Sequence, residues 1–465
     1  MVEIKNINQG GLADSDYIGA KYSVAEAVGL DIHSESGVIK VNQKLTAEDT
    51  SALTTNELSE PTIIVPSSNG STYFFGKTSG KVWKRTAGGT WSYLQTCSPA
   101  AGSAGVLSAM EYQSYIYYAM ESRLGRMAIS SDSFSDSWAT FSNTDDTYHP
   151  MKKVNQVIYI GDGNYVAQVD AGVYTADALD LKDALRISAL GKLDTDLLIG
   201  TYVSDNVNKT EILRWNTWSV SYSVSDEIPE VGVYCFIETD NIVLVAAGTK
   251  GNLYIYDGAQ LEMYKRIKGT WTGSNKAIVK NEASINFHGL PLFGVSNVSG
   301  NACHLGLYSI GRTNRNYPYI LNLEFPISTG SLADVLIHSV AASGDVFFVS
   351  WEDDGTYGVD MLDLTAKQTS AYYTSMVLVP ERHLMTTYGI AHVPYRNKPT
   401  NTDINLYAKV DYGSFAELTD TVDDTVRHML MTNSHVGEAS ALQIKTELVS
   451  SGNTAPEVEG TIIAI

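Results

Sequence analysis

The chain contains 465 residues, of which 44% are hydrophobic and 18% charged, and 32 Lys and Arg against 52 Asp and Glu give a formal net charge of −20 at pH 7. This composition excludes an intrinsically disordered chain, because disorder combines high net charge with low hydrophobicity. The negative charge, together with the lack of any cluster of basic and aromatic residues, disfavours nucleic-acid binding by counterion release.

Residues 1–60 are predicted to form an extended arm without a core of its own, unless the segment SVAEAV forms a short helix. Arms of this kind gain order on a neighbouring subunit, for example by adding a strand to an exposed sheet edge. The chain begins without an apolar signal peptide and has no run of about 18 apolar residues, so we expect a soluble protein made in a cytoplasm.

Between residues 61 and 380, a short apolar run recurs seven times at intervals of 39 to 56 residues. Each run is too short for a helix, and most end at Gly or a small residue, which is typical of a strand buried on both faces. We predict that these runs are the innermost strands of a repeated unit. They are TYFFG around Phe74, YIYYA around Tyr117, VIYIG around Tyr159, LLIG around Leu198, IVLVA around Leu244, LPLFG around Leu292 and VFFVS around Phe348.

An alternating apolar and polar element follows each run, such as KVWKR (81–85), and this pattern is typical of a half-buried strand. Links such as GDGN and EDDG supply residues that tight hairpin turns require, so EDDG (352–355) is interpreted as a turn rather than a calcium loop. A more polar strand tends to follow, as in WSYLQT (91–96), and a further element precedes each run, as in IHSVAASG (337–344).

Four antiparallel strands repeated every 40 to 50 residues predict an all-β protein with a seven-bladed β-propeller at residues 61–380. A tandem of β-sandwiches is the alternative, but it would not space the most apolar strand so regularly. Closure of the ring by an N-terminal strand within GVIKVNQKL (37–45) is a further prediction. Alternating segments after a break near Pro380 predict a small C-terminal β-sandwich at residues 381–465.

Catalytic signatures are largely missing from the sequence. GxSxG, HExxH, Walker A and GxGxxG motifs are absent, the nine His residues are scattered, and Cys97, Cys235 and Cys303 lack metal-ligand spacing. KRTAGGTW (84–91) and SSDSFSDSW (130–138) resemble the Asp-box SxDxGxxW of sialidase propellers, which is a structural turn. Thr86 replaces the Asp of the first copy, and the second copy, with Asp132, lacks the Gly.

Both ends of the chain resemble those of tailed-bacteriophage tail proteins. AVGLDIHSESGVIKVNQKL (27–45) is similar to their extended lead-in with a "PG" or "SG" turn before a propeller. ALQIKTELVSSGNTAPEVEGTIIAI (441–465) resembles the closing sandwich strands of phage structural proteins, a pattern LQ-x-K-x-x-L-x-S-S-G-x-T-x-P-x-x-x-G.

This resemblance implies a non-enzymatic virion protein, similar to tail nozzle or tail tubular proteins, that is assembled in the host cytoplasm. Such proteins form homo-oligomeric rings, with a hexamer expected, and contact other tail components such as an adaptor or fibres. DNA passes through without specific binding, and an acidic wall would keep it from adhering. No cofactor, metal or catalytic residue is expected.

Two other functions remain open at the level of sequence. One is a carbohydrate- or receptor-binding propeller, like a sialidase without catalysis, in which exposed aromatic rings stack on sugars. The other is an enzyme with its active site in the central funnel. The predicted interaction site is the loop SIGRTNRNYPYI (309–320) of the sixth blade, with Arg312 and Arg315 as its cations.

Overall fold

The structure, a computed structural model, is almost entirely β-strand. Its regular helices, within the described part of the chain, are one α-helical turn, α1 (Ile7–Gly10), and one 3-10 turn (Asn281–Ala283). No described helix has the length and apolarity needed to cross a membrane. The structure describes residues 2–464 except 18, 52, 54–55, 99–104, 144–147, 204–207, 240–241, 270–275, 296–305, 314–315, 330–334 and 380–384.

The strands are numbered in chain order. Five precede the repeats: β1 to β5 are Val2–Lys5, Glu26–Val28, Leu30–Asp31, Ile39–Val41 and Gln43–Ala47. The first repeats are β6 to β9 (Thr62–Pro66, Thr72–Gly76, Lys81–Arg85, Trp91–Thr96), β10 to β13 (Ser108–Tyr112, Tyr115–Met120, Arg123–Ala128, Ser133–Thr140) and β14 to β17 (Met151–Val154, Val157–Asp162, Tyr165–Asp170, Val173–Asp180).

The next repeats are β18 to β21 (Arg186–Leu193, Asp196–Tyr202, Thr210–Trp215, Val224–Ile228) and β22 to β25 (Val233–Glu238, Val243–Ala247, Asn252–Tyr256, Leu261–Arg266). They are followed by β26 to β29 (Ser284–Phe287, Leu290–Gly294, Gly306–Gly311, Ile320–Pro326) and β30 to β32 (Val335–Ser343, Val346–Asp353, Thr356–Lys367). The last strands, β33 to β43, are Ser370–Thr374, Thr386–Tyr388, Ala391–Asn397, Asp403–Val410, Ala416–Glu417, Thr421–Asp424, Met429–Thr432, Gly437–Ala439, Leu442–Val449, Glu457–Val458 and Gly460–Ile463.

Six four-stranded sheets form the blades of a β-propeller. Five of them use four consecutive strands, from β6–β9 to β22–β25, and the sixth has the order β30-β31-β32-β5. The first strands β6, β10, β14, β18, β22, β26 and β30 each contact the next, and β30 contacts β6, which closes the ring. The fourth strand β5 confirms the prediction that an N-terminal strand completes a blade.

The prediction of seven four-stranded blades is wrong, because among the described residues six sheets are separate four-stranded units and the remaining first strand of the ring, β26, belongs to a larger sheet. The strands predicted for the blade around Leu292, β26 to β29, belong to a nine-stranded sheet with the order β26-β27-β28-β29-β2-β33-β41-β36-β37. Strand β29 pairs in parallel with β2, where Val28 lies opposite Leu323. The edge of β29 is therefore covered and is not the exposed outer edge of a blade. The spacing of the apolar runs does not indicate that this sheet continues from β29 into further strands.

The apolar runs are the second strands of the sheets, not the innermost ones. Every residue of β7 (Thr72–Gly76) is buried, because neighbouring sheets cover both of its faces. On one side the ring of Phe75 stacks on that of Tyr118 at 5.5 Å, and on the other Phe74 meets Phe348 at 5.9 Å. The first strands face the central cavity with one side and are therefore less apolar than the runs.

Two compact units divide the chain differently from the predicted boundaries 1–60, 61–380 and 381–465. The propeller unit comprises Ala47–Leu305 and Ser331–Met361, and the terminal unit comprises Met1–Thr46, Gly306–Gly330 and Leu362–Ile465. The predicted break at Pro380 lies outside the described residues.

The terminal unit unites both ends of the chain in one core. Its sheet β1-β43-β35-β42-β4-β3 places three C-terminal strands between N-terminal strands at both edges, and β2 pairs with β33. Val24, Leu30 and Val41 are buried in the same cluster as Ile444 and Val458. Residues 1–46 are therefore not an arm without a core, SVAEAV leads into strand β2 rather than a helix, and the C-terminal strands do not form a separate sandwich.

Candidate functional site

A cluster of ionisable side chains lies at the end of the propeller ring where the first strands begin. Lys77 follows β7, Lys280 precedes β26 by a few residues, and His338 and Glu352 lie on β30 and β31. The blades share one strand order, so their first strands run in the same direction and these positions meet at one end of the ring. All of them belong to the propeller unit.

Glu352, His338 and Lys280 form a hydrogen-bonded chain. Glu352 Oε2 lies 3.0 Å from His338 Nε2, and His338 Nδ1 lies 3.0 Å from Lys280 Nζ. Burial, with the charges of Lys280 and Lys77, lowers the pKa of His338 to about 2, so its ring is neutral. The geometry assigns the Nε2 hydrogen to the bond with Glu352, which leaves Nδ1 to accept from Lys280.

Burial also lowers the pKa of Lys280 to about 8, and the positive charge of Lys77 acts in the same direction. Glu282 and Glu352 oppose this shift with their negative charges. Burial lowers the pKa of Lys77 as well, against the attraction of Glu282. The site thus holds two lysine side chains that lose their proton at lower pH than surface lysines do.

Glu282 and Tyr148 form a second pair beside this chain. The Tyr148 hydroxyl lies 2.9 Å and 3.0 Å from the two carboxylate oxygens of Glu282. Burial raises the pKa of Glu282 and that of Tyr148. A carboxyl group whose pKa is raised can keep or release a proton closer to neutral pH, as a general acid requires.

The cluster adjoins a cavity of about 170 Å³ in the centre of the ring. This volume holds several water molecules or a small organic molecule. The first strands and the residues before β26 line it, and polar atoms make up most of its accessible surface, with Lys152, Asn281 and Glu282 among the polar residues. Lys152 is held by an ion pair of 2.6 Å with Glu238. The cavity therefore combines apolar side chains of the first strands with several convergent polar groups.

Cys235 lies next to this region but is not a candidate nucleophile. Its Sγ is 3.4 Å from Ser284 Oγ, and burial raises the pKa of the thiol to about 12. Because the thiolate is the reactive form, such a cysteine is inert. Cys97 is buried like Cys235, and Cys303 lies outside the described residues.

Of the two predicted interaction residues, the one that the structure describes lies elsewhere. Arg312 follows β28 in the terminal unit, and its guanidinium lies 4.6 Å from the ring of Tyr319, so it has a partner. Arg315 lies outside the described residues. Arg312 does not join the cluster of the propeller unit.

Sequence reasoning missed the cluster because its members come from different blades and have no fixed spacing. Glu352 was assigned to the turn EDDG, but it belongs to β31. The turn itself is confirmed, since Asp354 and Gly355 have positive φ angles of 45° and 77° between β31 and β32. The weak Asp-box also lies in a turn, where Asp132 accepts from Tyr73 Oη at 2.7 Å and Lys84 Nζ at 2.8 Å.

The described residues contain no group of three or more His, Cys, Asp or Glu side chains that could hold a metal ion. His428, which lies in the C-terminal region, packs edge-on against Tyr395 with ring centroids 5.6 Å apart.

Comparisons with known proteins identify no family. No family of known proteins matches the chain, and no curated protein matches it in sequence. Among solved structures, a streptogramin B lyase is similar with 11% identity and a TM-score of 0.44, over 65% of this chain and 93% of that one. A virginiamycin B lyase from Staphylococcus aureus with quinupristin has 14% identity and a TM-score of 0.48, over 69% and 99%.

The N-terminal domain of Nup159 is similar with 10% identity and a TM-score of 0.40, over 66% of this chain and 90% of that one. At these identities and scores the likeness is one of fold and does not extend to activity.

Proposed function

We propose that this protein is a structural subunit of a phage tail, which assembles through its terminal unit into a homo-oligomeric ring with a central passage for DNA. The observation that carries this proposal is the distribution of exposed apolar side chains. Of 13 large hydrophobic side chains exposed among the described residues, nine lie in the terminal unit, which holds fewer than half of the residues. Exposed apolar surface of this kind marks association sites.

The most exposed of these side chains lie near strand edges. Tyr412 (63% exposed) lies in the turn before β37, the last strand of its sheet. Val426 (90% exposed) follows β38, which among the described strands pairs with β39 alone. An edge strand presents unpaired N–H and C=O groups that a second copy can satisfy. Repeating one such contact around an axis gives a ring.

The resemblance to phage tail proteins supports the same unit as the assembly module. Its two segments, residues 27–45 and 441–465, both belong to the terminal unit. They pair directly, since Ile39 of β4 lies opposite Val458 of β42. The net charge of −20 supports passage of DNA without adhesion.

Native mass spectrometry and electron microscopy of the purified protein test the proposal, with a closed ring of six copies as the expected result. A variant that combines Tyr412→Asp and Val426→Asp is expected to remain monomeric at protein concentrations where the wild type forms rings, because charged side chains oppose burial in an interface. Both positions are exposed, so the far-ultraviolet circular dichroism should not change.

Val220→Asp is the matched control, since Val220 is 97% exposed but belongs to the propeller unit. It should leave the ring intact. A wild-type protein that stays monomeric at every concentration, or rings unaffected by the double substitution, would contradict the proposal. If basic groups lined the central passage of the ring, the proposal that DNA passes through it without adhering would be contradicted.

One observation favours the second candidate, a carbohydrate-binding propeller. Trp218 is 84% exposed in the loop between β20 and β21. A flat exposed indole is suited to stacking on a sugar ring. A glycan array tests this function: binding that disappears in Trp218→Ala supports it, and a lack of binding to any glycan rejects it.

A further inference from the structure

Hydrogen bonds hold the side-chain amine of Lys280 in a fixed position, which favours a reaction at this nitrogen that a purely structural subunit does not require. His338 Nδ1 accepts a hydrogen bond from Lys280 Nζ at 3.0 Å, and Glu352 fixes the imidazole from its other nitrogen at 3.0 Å. This chain holds the amine in one place at the end of the ring. His338 acts as a positioning residue, because its neutral ring is too weak a base to take the lysine proton.

The electrostatic surroundings favour the neutral amine. Lys280 is surrounded by protein, and Lys77 places a second positive charge nearby, so the pKa of Lys280 falls to about 8. Desolvation and a neighbouring cation are the two ways in which proteins make a lysine nucleophilic. At neutral pH, roughly one Lys280 in ten carries no proton, compared with fewer than one in a thousand for an ordinary lysine with a pKa of about 10.4.

We propose that Lys280 is a nucleophilic amine that forms an imine with a small carbonyl compound bearing a carboxylate, taken up in the adjoining cavity. The cavity of about 170 Å³ is lined by Glu282, two residues along the chain from Lys280. Lys77 provides the positive charge that would attract the carboxylate of the carbonyl compound. This inference concerns the propeller unit and is independent of the proposed ring.

The reaction balances without any further reactant. The nitrogen lone pair of Lys280 forms a C–N bond to the carbonyl carbon, and the electrons of the C=O π bond move to oxygen. Glu282 in its protonated form donates a proton to that oxygen and regains one from the nitrogen. The C–O bond then breaks, a C=N bond forms, and both hydrogens of the amine leave with the oxygen as water.

Reductive labelling of the full-length protein tests the inference. The protein is incubated with glyoxylate and cyanoborohydride, which reduces an imine to a stable secondary amine, and each modified lysine is located by peptide mass spectrometry. We expect Lys280 to be labelled at least about tenfold faster than the exposed Lys250 at pH 7, given the difference in neutral fraction. The rate at Lys280 should rise with a midpoint near pH 8.

Several controls distinguish a specific reactive site at Lys280 from a lysine that is merely exposed to the reagent. Propanal, which has no carboxylate, should show a smaller preference for Lys280 than glyoxylate does. Lys77→Met should move the midpoint for Lys280 to higher pH, whereas Lys250→Met should change nothing. In urea, Lys280 and Lys250 should react equally. The inference is overturned if Lys280 in the folded wild type reacts no faster than Lys250, or if its rate shows no midpoint below pH 9.

Discussion

Removal of residues 1–42 is expected to unfold the terminal unit rather than merely to prevent ring formation. Val24, Leu30 and Ile32 have no exposed surface, and β2 lies between β29 and β33 inside a sheet. Each buried aliphatic side chain stabilises the fold by about 1.5–3 kcal/mol, so the whole segment contributes on the order of 10 kcal/mol. This is comparable with the entire stability of a typical domain, about 5–15 kcal/mol.

The deletion leaves β5 (Gln43–Ala47) in place, so the propeller keeps the strand that completes its last blade. Hydrogen exchange by mass spectrometry should show that β41 and β43 lose protection. Removal of residues 1–5 is the control, because β1 pairs with β43 at the edge of another sheet, so its loss should leave β41, which lies between β33 and β36, protected. A folded, monomeric protein after the long deletion would contradict this expectation and would restore the hypothesis of an arm that orders on a neighbouring subunit.

The regular part of the fold was predictable because local signals carry it. Alternation in KVWKR and the turn residues of EDDG specify hairpins, and both are present as β8 and the β31–β32 turn. The pattern of apolar runs does not indicate which strand of each sheet lies closest to the axis of the ring. A strand covered on both faces, such as β7, is more apolar than a first strand that faces a partly polar cavity, so apolarity indicates the second position.

The terminal unit was not predictable in the same way. Pairs such as Val2 with Ile463 join residues at opposite ends of the chain, and nothing in either local pattern specifies the partner. The candidate site has the same origin. Lys77, Lys280 and His338 come together only because the ring closes, and each one alone resembles an ordinary polar residue near the end of a strand.

A buried carboxyl group in the terminal unit leads to the second large expected effect. Glu324 on β29 is 3% exposed, and its Oε1 accepts from Asn42 Nδ2 at 2.9 Å. Its Oε2 lies 3.8 Å from Nε2 of His33, which is itself bonded to Ser309 Oγ at 2.9 Å. Burial, together with the charge of Asp31, raises the pKa of Glu324 to about 8. Burial lowers the pKa of His33 to about 4, against the charge of Asp31.

These two shifts act on stability with opposite signs. Glu324 keeps its proton in the folded state, so its contribution is complete below its ordinary pKa of 4.5 and is lost as the pH rises through about 8. His33 stays neutral in the folded state, so its contribution is complete above 6.5 and is lost as the pH falls through about 4. Between pH 4.5 and 6.5 the two groups change the stability in opposite directions as the pH rises. From pH 6.5 to 8 only Glu324 changes the stability.

We therefore expect the free energy of opening of segment Ile320–Pro326 to fall by about 2 kcal/mol between pH 6.5 and 8, since each pH unit corresponds to about 1.4 kcal/mol. Glu324→Gln should abolish this fall and stabilise the segment at pH 8, because the amide keeps an oxygen for Asn42 and cannot ionise. Hydrogen exchange of this peptide is the suitable measurement, since β29 contains no tryptophan that could report on it by fluorescence. Glu438→Gln, at an exposed position, should leave the fall unchanged. An opening free energy that is independent of pH in the wild type would show that Glu324 is ionised in the folded protein.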